Sequence, residues 1–225
     1  MSKKQFYHLK ANLRRIDPKN SFINQGRNLL SIDNGNYKEW LEEKILPDTR
    51  LIIEPKIDGC AIALSYVAGV LVKAINRKGK DKTEAIKRIK NIPYRLPVDI
   101  SIQLRGELYD PNSRGTTSKS LVAGYLRKKV HIGKGLSFCA FQIFSTNLNH
   151  SSQLKELEQL GFKIPEFEIT NRTSQVDLYL QLWKEGKLFQ QYPTDGIVIK
   201  VNSRKFQKQL GETSNYQNWA YAVNL

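Results

Sequence analysis

The sequence predicts an α+β domain in which antiparallel sheets are flanked by helices. Three observations lead there. Short strand-like runs with period-two patterning recur along the chain and are interrupted by helical stretches of unequal length. Two of these runs, 60–67 and 70–76, are separated only by Ala68 and Gly69, the spacing of a tight hairpin. The regular strand-helix alternation that builds a doubly wound parallel sheet is missing. With 225 residues, 40% of them hydrophobic, the chain can bury a sizeable core.

Residues 1–26 are polar and basic without clear periodicity and read as a lead-in, with the domain proper over 27–225. In "DNGNYKEWLEEKIL" (33–46) an Asn or Asp caps a short helix that turns Trp40, Leu41 and Ile45 inward. "LIIEP", "CAIALSYV" and "VLVKAIN" read as strands, and "DKTEAIKRIKNI" (81–92) reads as a helix with Ala85, Ile86 and Ile89 on one side. "ISIQLRGELY" (100–109) alternates, sending Ile102, Leu104 and Leu108 to one face and Gln103, Arg105 and Glu107 to the other. A basic helix over 117–129, a buried strand over 136–145, helices stopping at Gly161 and Gly186, and a strand over 195–202 complete the pattern.

The charge points to a partner. Thirty-six Lys and Arg against 21 Asp and Glu leave a formal +15. Between Lys73 and Arg95 there are nine basic residues and two acidic ones, and a second basic cluster spans 126–134. Phosphate backbones reward such clusters through counterion release, although a solubilising surface would carry the same charge. No window approaches the roughly 18 apolar residues of a membrane span, and the first 15 residues lack the apolar core of a secretory signal, so a cytoplasmic protein with no membrane contact is expected. Cys60 and Cys139 both lie in apolar runs, which suits free buried thiols; two cysteines are too few for a four-thiolate zinc site.

Three of the strand-like segments carry charge on one face: "EPKIDG" (54–59), "RGE" (105–107) and "DGIVIK" (195–200). One such strand is an ordinary half-exposed strand; three invite a shared cleft holding Glu54, Lys56, Asp58, Arg105, Glu107, Asp195 and Lys200. A lysine there is a nucleophile only as the free amine, a form scarce at neutral pH. Burial and a neighbouring cation such as Lys200 or Arg77 would favour the amine, whereas Glu54 and Asp58 would oppose it unless a metal engages them. Carboxylates beside a phosphate imply magnesium, so the chemistry these residues suggest is nucleotidyl transfer to a lysine.

"EPKIDG" resembles the active-site motif, Lys-x-Asp-Gly, of covalent nucleotidyltransferases: DNA ligases, RNA ligases and mRNA capping enzymes. The ordered series "LLSIDN", "EPKIDG", "AINRKG", "LRGELY", "SLVAGYLR", "LSFCAF", "DGIVIKV" and "QLGETSNYQNWAYA" is more specific and resembles the adenylation domain of bacterial-type NAD-dependent DNA ligases. That resemblance implies the nucleotidyltransferase fold, an ATP-grasp-like arrangement of antiparallel sheets. It implies that Lys56 takes AMP in a phosphoramide link, with Asp58 and Lys200 as its catalytic companions. Glu54 would accept from the adenine amino group and Phe141 would stack on the base. Glu107 would hold the ribose, Arg77 a ribose hydroxyl, and Lys200 the α-phosphate. Ser31 and Ile32 would line the cofactor, and Lys119, Arg127 and Lys187 would engage the nicked strand or its 5′-phosphate. Asp58 and Glu107 are the candidates for binding Mg2+. NAD is the implied source of AMP, and nicked double-stranded DNA the implied partner.

Two departures qualify the resemblance. The family's Trp-Ala-x-Ala-x-Lys ends here in Asn224, which can donate a hydrogen bond but carries no charge. The family's helical nicotinamide-binding module, oligonucleotide-binding barrel, zinc finger and helix-hairpin-helix repeats have no counterpart in the sequence, so the chain is either a fragment or, the preferred expectation, one subunit of a split ligase whose second chain carries the DNA-gripping parts. An ATP-dependent DNA or RNA ligase, and a non-catalytic DNA-binding subunit, are the alternatives.

Overall fold

A computed structural model describes residues 29–113, 117–128 and 135–224. The expected lead-in, most of the basic cluster at 126–134 and the last residue lie outside them. Among the described residues the strands are β1 (Ser31–Asn34), β2 (Leu51–Ile57), β3 (Cys60–Val67), β4 (Val70–Asn76), β5 (Ile102–Tyr109), β6 (Ser137–Ile143), β7 (Glu168–Thr170), β8 (Thr194–Val201) and β9 (Tyr216–Asn224). They form a five-stranded sheet, β1-β9-β8-β2-β7, and a four-stranded sheet, β4-β3-β5-β6. All pairs are antiparallel except β1 with β9, a parallel edge that the all-antiparallel expectation did not include.

Local sequence accounts for most of these elements. The β3–β4 turn places Ala68 and Gly69 at φ 46° and 76°, the doubly left-handed geometry whose twist matches a two-residue hairpin. Helix α1 (Tyr37–Lys44) begins at Asn36, whose side chain accepts from the Lys38 and Glu39 amides; its Trp40 stacks on Tyr221 at 5.4 Å. The helix expected over 81–92 is a correction: only Thr83–Ile86 (α2) is helical. Beyond it the Arg88, Ile89 and Ile92 amides each reach back three residues, to the carbonyls of Ala85, Ile86 and Ile89. Ile86, Ile89 and Ile92 are spaced by three, so tight turns stack them on one buried face where an α-helix would spread them. Helices α3 (Thr117–Arg127), α4 (His150–Gln159), α5 (Gln175–Lys184) and α6 (Arg204–Leu210) complete the described set.

Each sheet has one face covered by helices. The four-stranded sheet buries Leu64, Leu104 and Phe138 against Ile86 of α2, Val122 of α3 and Leu157 of α4. The five-stranded sheet buries Ile53, Ile197 and Ile199 against Trp40 of α1 and Val176 of α5. The remaining faces turn toward one another. β5 does alternate as expected, but most of its polar row is turned from water: Gln103 and Arg105 are buried, and Glu107 is partly so. The same holds for Glu54 in β2.

Candidate active site

Between the two sheets lies a cleft of about 660 Å³ lined by residues of β2, β3, β5, β6, β8 and α3 together with the loop after β4. That size is ordinary for a nucleotide-sized ligand. Nine basic and four acidic side chains line it, so its character is that of a site for anions. The charged rows of the three strands singled out in the sequence do converge here: Glu54, Lys56 and Asp58 from β2 and the turn after it, Arg105 and Glu107 from β5, Asp195 and Lys200 from β8.

At the mouth, Lys56 Nζ lies 2.7 Å from both Asp195 oxygens, and the two side chains keep 27% and 31% of their exposure. Deeper, Lys200 Nζ donates to Glu54 Oε2 at 2.6 Å, and Glu54 Oε1 meets His150 Nε2; all three side chains are buried. Burial pushes the Glu54 carboxyl up, but the Lys200 ammonium and then His150 outweigh it and hold the group down to about 2. Burial holds Lys200 below the usual lysine range, and burial followed by the Lys200 charge holds His150 below its own. The Phe141 ring, part-exposed on β6, has Lys200 Nζ 4.7 Å and the Arg105 guanidinium 5.5 Å from its centroid. Lys200 therefore sits with Glu54 and Phe141.

Asp58 is fixed by two bonds: its amide donates to Pro193 O at 2.7 Å and its Oδ2 accepts from the Lys119 amide at 3.0 Å. Glu107 is pushed up to about 8, mainly by burial, with Asp58 adding to the effect and Arg105 and Lys119 opposing it. Gly59 lets β5 close over this turn; a Cβ there would stand 2.3 Å from the Leu108 carbonyl oxygen. Arg77 reaches Ser31 Oγ, and Arg105 Nη1 donates to Leu30 O at 2.9 Å, so the segment 29–32 is tied across the cleft. Ser31, Ile32, Lys119 and Arg127 all line the cleft, whereas Lys187 lies outside it, exposed and paired with Glu185 at 2.7 Å. Cys60 lines the cleft half-buried, with its thiol pushed up to about 11 chiefly by burial, and Cys139 is buried; both are free.

Sequence reasoning did not single out His150, because nothing in "LNHSSQ" marks the first residue of a helix as facing inward. It also gave Asp195 no specific partner. Lys78, Lys80 and Lys82, counted there only as charge, line the cleft beside Arg77. Among the described residues no three His, Cys, Asp or Glu side chains gather as a metal site. Asp58, joined by Glu107 once a cation draws off the latter's proton, supplies the one or two carboxylates that magnesium takes before it completes its shell with phosphate and water.

Two sheets enclosing a charged cleft with a lysine at its mouth are the fold of the nucleotidyltransferase domains of polynucleotide ligases. Solved structures agree on the fold. The chain matches one from a study of Lig E DNA ligases with a TM-score of 0.59 at 13% identity, covering 88% of this chain and 68% of that one. It matches a mycobacterial DNA ligase D complexed with ATP with a TM-score of 0.55 at 15% identity, covering 91% and 61%. A family model for the NAD-dependent DNA ligase adenylation domain matches residues 21–225. The chain belongs to that family. Among curated relatives, DNA ligases of Anoxybacillus flavithermus and Thermotoga maritima are each 33% identical, over 79% and 88% of this chain. The chain spans about a third of the length of these relatives, 30% and 34%.

Proposed function

We propose that this chain performs the adenylation chemistry of an NAD-dependent DNA ligase. The amine of Lys56 attacks the adenylyl phosphorus of NAD. The P–N bond forms as the bond to the bridging oxygen breaks, and nicotinamide mononucleotide leaves with that electron pair. The AMP is then passed to the 5′-phosphate of a DNA nick, and the adjacent 3′-hydroxyl displaces it. Asp195, with both oxygens 2.7 Å from Nζ, is placed to accept the proton the amine sheds. Glu54 accepts from the adenine amino group and Phe141 offers its face to the base. Ser31, Ile32, Arg77 and Glu107 are assigned to the nucleotide, and Lys119, Arg127 and Lys187 to the DNA strand. The family resemblance gives Lys200 the α-phosphate; its neighbours Glu54 and Phe141 favour a place nearer the base. Magnesium, when bound with the nucleotide, would screen phosphate charge, and Asp58 and Glu107 are the carboxylates that would hold it. Sealing is proposed to draw in addition on an oligonucleotide-binding barrel, zinc finger and hairpin repeats supplied by a second chain.

The observation that carries this reading is the convergence of Lys56, Asp195, Glu54 and Phe141 in one nucleotide-sized cleft. Incubating the chain with magnesium and adenylate-labelled NAD should leave an acid-stable label on the protein that Lys56→Ala abolishes. Label from ATP and none from NAD would overturn the choice of donor; label persisting in Lys56→Ala would overturn the nucleophile.

A further inference from the structure

Behind the base-facing carboxylate stands a histidine that the adenylation chemistry leaves without a part. His150 opens α4 and is 1% exposed, with Nε2 against Glu54 Oε1. Lys200 Nζ takes the other oxygen at 2.6 Å and lies 3.4 Å from the same histidine nitrogen. Both Glu54 oxygens are thus engaged from the protein side while the carboxylate lines the cleft.

The hydrogen positions follow from what each group can offer. A carboxylate has only lone pairs to give, so Nε2 carries the hydrogen and Nδ1 is left as a bare acceptor. Nδ1 is buried and has no hydrogen-bond partner among the described residues. A proton there would create a second buried cation beside Lys200 with no group to receive it, so His150 stays a neutral Nε2–H donor. Its place is fixed by the backbone: the His150 amide donates to Asn202 O at 2.9 Å and the Ser151 amide to Asn202 Oδ1 at 2.8 Å. Those bonds pin the first turn of α4 to the end of β8, the strand that carries Lys200.

The other lysine-carboxylate pair of the cleft shows what Glu54 would do without this donor. Asp195, facing one ammonium, gives both of its oxygens to it. With no histidine, Lys200 would draw both Glu54 oxygens in the same way and turn the carboxylate off the base.

We propose that His150 is a positioning residue that keeps Glu54 shared between two donors, so that an oxygen faces the exocyclic amino group of a 6-aminopurine nucleotide and the cleft selects adenine over a 6-oxopurine. The proposal rests on the adenylation reading. It is tested with labelled NAD and labelled nicotinamide hypoxanthine dinucleotide, in which a carbonyl replaces the amino group. Wild type should prefer NAD by about a hundredfold or more in the rate of Lys56 labelling at low nucleotide concentration. His150→Leu should raise the half-saturating NAD concentration about tenfold, leave the maximal labelling rate within about threefold, and reduce the preference about tenfold. His150→Gln, a neutral N–H donor at every pH, should restore saturation and preference. A preference unchanged in His150→Leu, or lost equally in His150→Gln, would overturn the positioning role. Absence of label from NAD in the wild type would instead overturn the NAD-dependent reading beneath it, an outcome seen before any substitution is made.

Discussion

Asp195 and Glu54 each face a lysine, and the difference between the two pairs divides their work. The Lys56–Asp195 pair keeps 27% and 31% of its exposure, so a nucleotide can enter and part it at modest cost. The Lys200–Glu54 pair keeps 6% and 3% and gains a third member in His150; breaking it would leave a charge stranded in the interior. Replacing the proton acceptor while keeping its shape, Asp195→Asn, should slow labelling of Lys56 by about 10²–10⁴-fold, read as the single-turnover rate at saturating NAD. A loss below threefold would remove Asp195 from the proton's path. The buried trio makes a different prediction, for stability against pH. His150 holds its folded value below the ordinary 6.5 and Glu54 is held at about 2 against 4.5, so in both cases the unfolded chain binds the proton that the folded chain refuses. The share of stability that this trio supplies is therefore full above about pH 6.5, declines first through the His150 window, and falls further as Glu54 takes its proton between pH 4.5 and 2, while Glu107, held up to about 8, works the opposite way and costs stability as pH rises from 4.5 to 8. Thermal midpoints measured from pH 7.5 to 5 should fall less in His150→Gln than in wild type; parallel curves would contradict this assignment.

At the scale of elements, the turn between β2 and β3 holds the site in register, because it delivers Lys56 and Asp58 while β5 passes over Gly59. Gly59→Ala places a methyl 2.3 Å from the Leu108 carbonyl oxygen, a contact only backbone movement can relieve. The variant should lose about 1–3 kcal/mol in denaturant unfolding and most of its Lys56 labelling; full labelling at wild-type stability would mean that β5 gives way freely. How legible these elements were depends on where their information lies. β2, β3 and β4 carry period-two patterning and a two-residue turn, which are local signals; β3 and β4 match their expected bounds, and β2 runs two residues past the expected 51–55. The tripeptide β7 and the four-residue β1 are too short for periodicity to register, and each exists because a longer strand, β2 or β9, offers it an edge. The overlong α2 has the same origin in reverse. Ala85, Ile86 and Ile89 fit a helical face, but a partner shaped for the three-residue spacing of Ile86, Ile89 and Ile92 selected tight turns instead. The charged rows were visible in the sequence because polar residues inside apolar strands are anomalous. His150 was not, because its role depends on the end of α4 meeting the end of β8.

For the whole molecule, the proposed function raises the question of how much of a nicked duplex this chain would hold. Its excess of 15 positive charges is spread over the sequence, yet the cleft alone gathers nine basic against four acidic side chains. A bound nucleotide neutralises only part of that excess, which leaves a rim, Lys119 and Arg127 among it, to meet a phosphate backbone. Phosphate contacts of this sort are individually weak, add through counterion release, and carry little information about base sequence. Binding of a nicked duplex by this chain should therefore weaken linearly on a plot of log affinity against log salt. Each of Lys119→Ala and Arg127→Ala should lower the slope by about 0.9, the share of one phosphate contact. Fluorescence anisotropy of a labelled nicked duplex between about 50 and 200 mM salt measures both slopes. If removing either charge shifts affinity equally at every salt concentration, its contact is not with a phosphate, and the duplex must cross the molecule somewhere other than this rim.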